Sequence, residues 1–336
     1  HSGTSATTLT NGGNASGGAM SLNAGDATVA ANAPLTFGAS TLTGSLNATA
    51  PGLLQTGALS VAGATALNSG TSAITLANSA NAFGGAMSLN AGDATVAANA
   101  PLTFGASTLT GSLNASAPGL LQTGALSITG TTALNSGTST TTLANSGNVF
   151  TGAVSLTSGD ATINSSTALL LAASTLSGGL TATAPGISQS GVLSIAGPSA
   201  LNSDSSAIML VNGGNAFGGA MSLTAGNATL AANAPLTFGA TTLTGSLNAS
   251  APGLLQTGAL SVAGTTTLNS GTSTITLANT GNVFTGAVSL IGGDATISSS
   301  TPLLLAASTL SGGLNATASG ISQSGVLSIA GPSALN

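Results

Sequence analysis

Apolar residues alternate with polar ones over short spans, as in ALSVAG at 58–63 and AITLAN at 73–78, and Gly, Asn, Ser or Thr interrupts them every six to nine residues. Period-two alternation predicts short half-buried strands. Gly and β-branched residues disfavour the helical alternative. Leu recurs at Leu22, Leu46, Leu67, Leu89, Leu113, Leu134 and onward to Leu335, with spacings of 24, 21 and 22 in rotation. Six or nine residues before each Leu runs a second apolar column, including Val61, Phe83, Phe104, Ile128 and Phe150. A third column lies seven residues after each Leu and includes Val29, Leu53, Ile74, Val96 and Leu120, with Thr7 and Thr141 as its exceptions.

A longer period contains these columns. Asp26, Asp93, Asp160, Asn227 and Asp294 stand in equivalent G-[DN]-A-T contexts at a constant spacing of 67, so that five copies fill all but one of the 336 residues. Residues 17–60 and 84–127 differ only at Thr49 against Ser116. The third and fifth copies share their own variant, NVFTGAVSL with LLLAASTLSGGL. Three apolar columns, one per strand, predict an all-β parallel β-helix (β-solenoid) with three strands per rung and about 15 rungs in five repeats. At the interstrand distance such a coil is ~70 Å long. Residues 1–336 are thus expected to be a single solenoid region. Both ends lie in phase with the repeat, which suggests a slice of a longer chain. The shared apolar column puts Phe83 over Phe104, and Phe217 over Phe238, on adjacent rungs.

Asn follows the Leu in eleven of fifteen rungs. Asn tolerates left-handed backbone and can bond to its copies one rung away, so a corner ladder is expected; the alternative is an exposed polar strand residue.

Composition then narrows the chemistry. The chain has no Lys, Arg, Glu, Cys, Trp or Tyr, five Asp and one His, His1. Without cations to neutralise phosphates, nucleic acid is excluded as a partner, and attraction to anionic headgroups fails likewise. No disulfide framework exists. The longest apolar runs, such as ALLLAA at 168–173, fall far short of the ~20 residues of a spanning helix, so no membrane insertion is expected.

No catalytic, cofactor-binding or metal site is expected. Glycoside hydrolysis needs carboxyl pairs ~5–9.5 Å apart, whereas three rungs would hold neighbouring Asp residues ~14 Å apart. One Asp per three rungs is also too few for a calcium roll, and the Asp of GDAT reads as a solvated turn residue. His1 has no second ligand nearby in sequence. Seven Asn-X-Ser/Thr sequons occur, at Asn14, Asn47, Asn114, Asn164, Asn227, Asn248 and Asn315.

The segments NVFTGAVSL, LTFGASTLTGSLNATAPG and LLQTGALSVAG resemble repeats of filamentous haemagglutinin-like secreted bacterial exoproteins and related adhesins. That resemblance implies export, a right-handed parallel β-helix and a role in attachment or biofilm. The expected function is therefore a non-enzymatic structural shaft of an extracellular filament or adhesin on a bacterial cell surface. Its expected partners are further copies, end to end or side by side, and cell-surface or matrix contacts. The alternative is a surface-binding module for carbohydrate or ice on an uncharged Thr/Ser/Asn face. The triplet TLT, at Thr41, at Thr108 and within the TTLT that starts at Thr241, is too sparse for ice.

Overall fold

The computed structural model describes residues 3–336; His1, considered above as a ligand, lies outside them. The chain is a parallel β-solenoid of about 17 turns, and the described residues include no helix. It divides into two compact units, His1–Thr167 and Ala168–Asn336. The boundary coincides with no change in the sequence pattern.

A typical turn of the first unit carries three strands, Leu46–Thr49, Leu53–Gln55 and Leu59–Val61. Their alternate residues point inward, as the period-two pattern requires: Leu46, Ala48, Leu53, Leu59 and Val61 are buried. Large side chains sit beside small ones between turns. Ala48 lies in register with Leu67, and Leu46 with Ala27 and Thr65. Phe37, Phe104 and Phe150 are fully buried, and each such side chain contributes ~1.5–3 kcal/mol.

The number of turns differs from the expected 15 for a definite reason. Register partners step from Ala27 to Leu46, Thr65, Met87 and Phe104, then from Leu102 to Leu120, Thr141 and Ala161. Seven turns thus carry the chain from Ala27 to Ala161, which is two full copies, and one copy makes three and a half turns. The second unit repeats this count from Leu180 to Leu314. Leu spacings of 21 to 24 count recurrences of a residue type. They are not the turn length, which is shorter and averages two sevenths of a copy.

The half turn arises at one place in each copy. Strands of four or five residues occupy one sheet at Ala27–Ala30, Leu46–Thr49, Thr65–Asn68 and Met87–Ala91. Gly92 and Asp93 then reverse the chain, and the next such strand, Ala94–Ala97, pairs on the opposite sheet with Ile74–Leu76. From there the sheets exchange roles. Gly92 is required at the reversal, because a Cβ there would stand 2.3 Å from the Thr71 carbonyl oxygen.

Beyond the reversal, two short strands must lie against one longer one, and the register slips by a residue: Met87 pairs with Phe104, but Asn90 with Thr108. The Leu89 amide, deprived of a carbonyl by the slip, donates to Ser107 Oγ at 3.0 Å, and this hydroxyl donates to the Gly105 carbonyl. Leu22 with Ser40, and Leu290 with Ser308, repeat the arrangement.

The expected Phe column is corrected by the same geometry. Phe83 pairs with Val61, whereas Phe104 pairs with Met87 and Gln122. Phe217 and Phe238 are separated likewise, their partners being Ile195 for the first and Met221 and Gln256 for the second. All four rings are buried, but the members of each pair belong to different columns.

Candidate functional site

The turn carboxylates have a structural role. Asp26 Oδ1 accepts the Ser45 amide at 2.7 Å, and Asp93 Oδ1 the Ser112 amide at 2.7 Å. Asn227 accepts from the Ser246 amide at 2.7 Å, so a neutral amide oxygen does the same work. Each contact ties the reversal to the following turn. Asp26 and Asp160 precede strands of one sheet, and Asp93 precedes a strand of the opposite one. Successive carboxylates, expected ~14 Å apart, are therefore three and a half turns apart, about 17 Å along the coil and on opposite sheets, and those on the same side are seven turns apart, about 34 Å at the interstrand spacing. Among the described residues no group of three His, Cys, Asp or Glu could hold a metal ion.

The Asn residues after the Leu mostly follow the alternative reading. Asn47, Asn68, Asn90 and Asn114 are exposed strand residues. Asn90 Nδ2 donates to Asn68 Oδ1 at 3.1 Å, one step of a ladder. Asn68, Asn135 and Asn269 also cap the ensuing turn, each accepting the amide of a Gly two residues on. Those glycines have φ near +60°; Asp204 takes the equivalent place 67 residues after Gly137, at φ +52°.

A buried amide pair was not anticipated. Asn81 is fully buried, and Gln55, 26 residues earlier, exchanges two hydrogen bonds with it: Gln55 Nε2 donates to Asn81 Oδ1 at 2.8 Å and Asn81 Nδ2 to Gln55 Oε1 at 2.9 Å. Asn81 Oδ1 also accepts the Leu59 amide, and its Nδ2 reaches the Leu76 and Ala97 carbonyls. One side chain thus staples three successive turns. Gln122–Asn148, Gln189–Asn215 and Gln256–Asn282 form the same pair. The sequence did hold a signal: its five Gln residues all lie 67 apart.

Thr65, Thr132, Ser199 and Thr266, again 67 apart, are buried with hydroxyls that lack a hydrogen-bond partner. The exterior of the described residues carries no charged side chain other than the five exposed Asp. One outward column of the first unit reads Ala30, Thr49, Asn68, Asn90, Thr108, Ser127 and Val149. Part of it borders a shallow groove of about 610 Å³ that includes Ser88, Ala106 and Ala125. A corresponding groove lies one copy earlier, at Ser21, Ala39 and Ala58.

Five successive segments, residues 24–90, 91–157, 158–224, 225–291 and 292–336, match the family described as Repeats of unknown function (DUF5649). The chain belongs to this family. Each complete DUF5649 repeat spans three and a half turns, and the second one opens at Ala91, immediately before the Gly92-Asp93 reversal. No curated protein and no solved structure matches the chain.

Proposed function

We propose that this DUF5649 array is the structural shaft of an extracellular filament or adhesin on a bacterial cell surface, without enzymatic activity. The observation that carries this reading is the Gln–Asn staple, which recurs in step with a parallel ladder and commits buried polar groups to joining turns. A buried amide satisfied on every side fixes register strongly, because any slip strands several polar groups. The resemblance of NVFTGAVSL and LLQTGALSVAG to haemagglutinin-like exoproteins adds support. A solenoid that adds turn upon turn through the same parallel ladder lends itself to end-to-end association of copies. The near absence of charge lets shafts lie side by side with little repulsion.

Light scattering and electron microscopy over a concentration series test this proposal. Fibres or laterally aligned arrays are expected. A compact monomer throughout, together with binding to a polysaccharide, would favour the surface-binding reading, for which the neutral groove beside Asn68 and Asn90 is the relevant feature. The mixed column of Asn, Thr, Ser and Ala weighs against ice, which would call for Thr on turn after turn.

A further inference from the structure

Seven sequons fall into two structural groups. At Asn14, both Nδ2 protons are engaged, by the Leu9 and Ala30 carbonyls. Asn164 Nδ2 donates to the Ala144 carbonyl at 2.8 Å. Asn227 is held against the next turn through its Oδ1, so closely that a Cβ on Gly245 would lie 2.3 Å away. These three amides serve the fold.

The remaining four occupy one equivalent strand position. Asn47, Asn114, Asn248 and Asn315 are second residues of Leu46–Thr49, Leu113–Ser116, Leu247–Ser250 and Leu314–Thr317, where the strand places them outward and the following Ala inward. In each case the sequon hydroxyl, Thr49, Ser116, Ser250 or Thr317, is exposed on the same face two residues on. Among the described residues none of the four Asn side chains makes a hydrogen bond. Acceptor nitrogen and sequon hydroxyl thus meet solvent together, and the third copy alone has Thr181 at this position.

We propose that Asn47, Asn114, Asn248 and Asn315 are acceptors for N-linked glycosylation by a sugar activated as a diphosphate ester. In the transfer, the Asn Nδ2 forms a bond to the anomeric carbon, the bond from that carbon to the diphosphate oxygen breaks, and the diphosphate carrier leaves with the electron pair. The amide nitrogen gives up one proton to the transferase. The half turn per copy puts Asn47 and Asn114 on opposite sheets, so sugars would project alternately from the two sides of the first unit.

The test treats the folded chain with a transferase specific for Asn-X-Ser/Thr, in one arm with a nucleotide-sugar donor and in the other with a lipid-linked donor. Peptide mass spectrometry then reads each site, and thermal unfolding follows the modified protein. The expected result, in at least one arm, is a sugar on each of the four outward Asn residues, none on Asn14, Asn164 or Asn227, and an unchanged unfolding midpoint. The arm that succeeds identifies the donor. Uniform modification of all seven sites, modification of the four only after denaturation, or no modification in either arm would overturn the proposal. An Asn47→Gln variant must lose the mass increment at that site alone.

Discussion

The Gly92-Asp93 reversal and the Gln55–Asn81 staple recur with the same period, yet they hold the molecule together to very different degrees. Asp93 is exposed, and its Oδ1 accepts one hydrogen bond, which Asn227 reproduces without charge. Asn81 is buried and links three turns through hydrogen bonds to one side chain and three backbone groups. Recurrence alone therefore does not rank importance. The cost of leaving polar groups unsatisfied does, and that cost depends on burial.

The largest expected effect follows from removing the staple. Asn81→Leu strands the Leu59 amide and the Leu76 and Ala97 carbonyls and leaves Gln55 only its bonds to Gly57 and Asn78, for a loss of roughly 4 kcal/mol in urea unfolding. Gln55→Leu leaves Asn81 bonded to backbone and is expected to cost about half as much. Equal losses from the two would show that the network acts only as a pair.

Two substitutions should stabilise. Thr65→Val removes a buried hydroxyl that has no partner while keeping the branched shape, for a gain of about 1 kcal/mol. Asp204→Gly restores the residue that the other copies place at φ near +60°, with an expected gain of somewhat less than about 1 kcal/mol. The smallest effect is expected at the reversal itself: Asp93→Asn should change stability by less than about 0.5 kcal/mol. A loss there comparable to that of Asn81→Leu would invert the comparison.

The fold class was legible because alternation and the long repeat period both act locally. The turn length was not. Leu89 and Leu113 look like successive members of one column, but the Gly92-Asp93 reversal puts their strands on opposite sheets. Like residues therefore recur on alternate faces, a relation that spacing cannot reveal without knowing where the chain reverses. The staple was hidden for another reason. Its partners lie more than a full turn apart along the chain, and each alone resembles an ordinary polar residue in a loop-rich sequence. Asn47 and Asn90 gave the opposite case: the residue was conspicuous, but its exposure made the ladder a minor contact.

The half turn per copy is tested most directly by paired spin labels, for which a chain without cysteine is well suited. Asn90→Cys with Thr108→Cys places labels on register partners of one sheet, whereas Asn90→Cys with Asn114→Cys places them on opposite sheets. Dipolar spectroscopy should give the short separation of neighbouring strands for the 90/108 pair and a clearly longer one, spanning the solenoid interior, for 90/114. A short distance for 90/114 with a long one for 90/108 would restore a rung running from Leu to Leu and contradict the account.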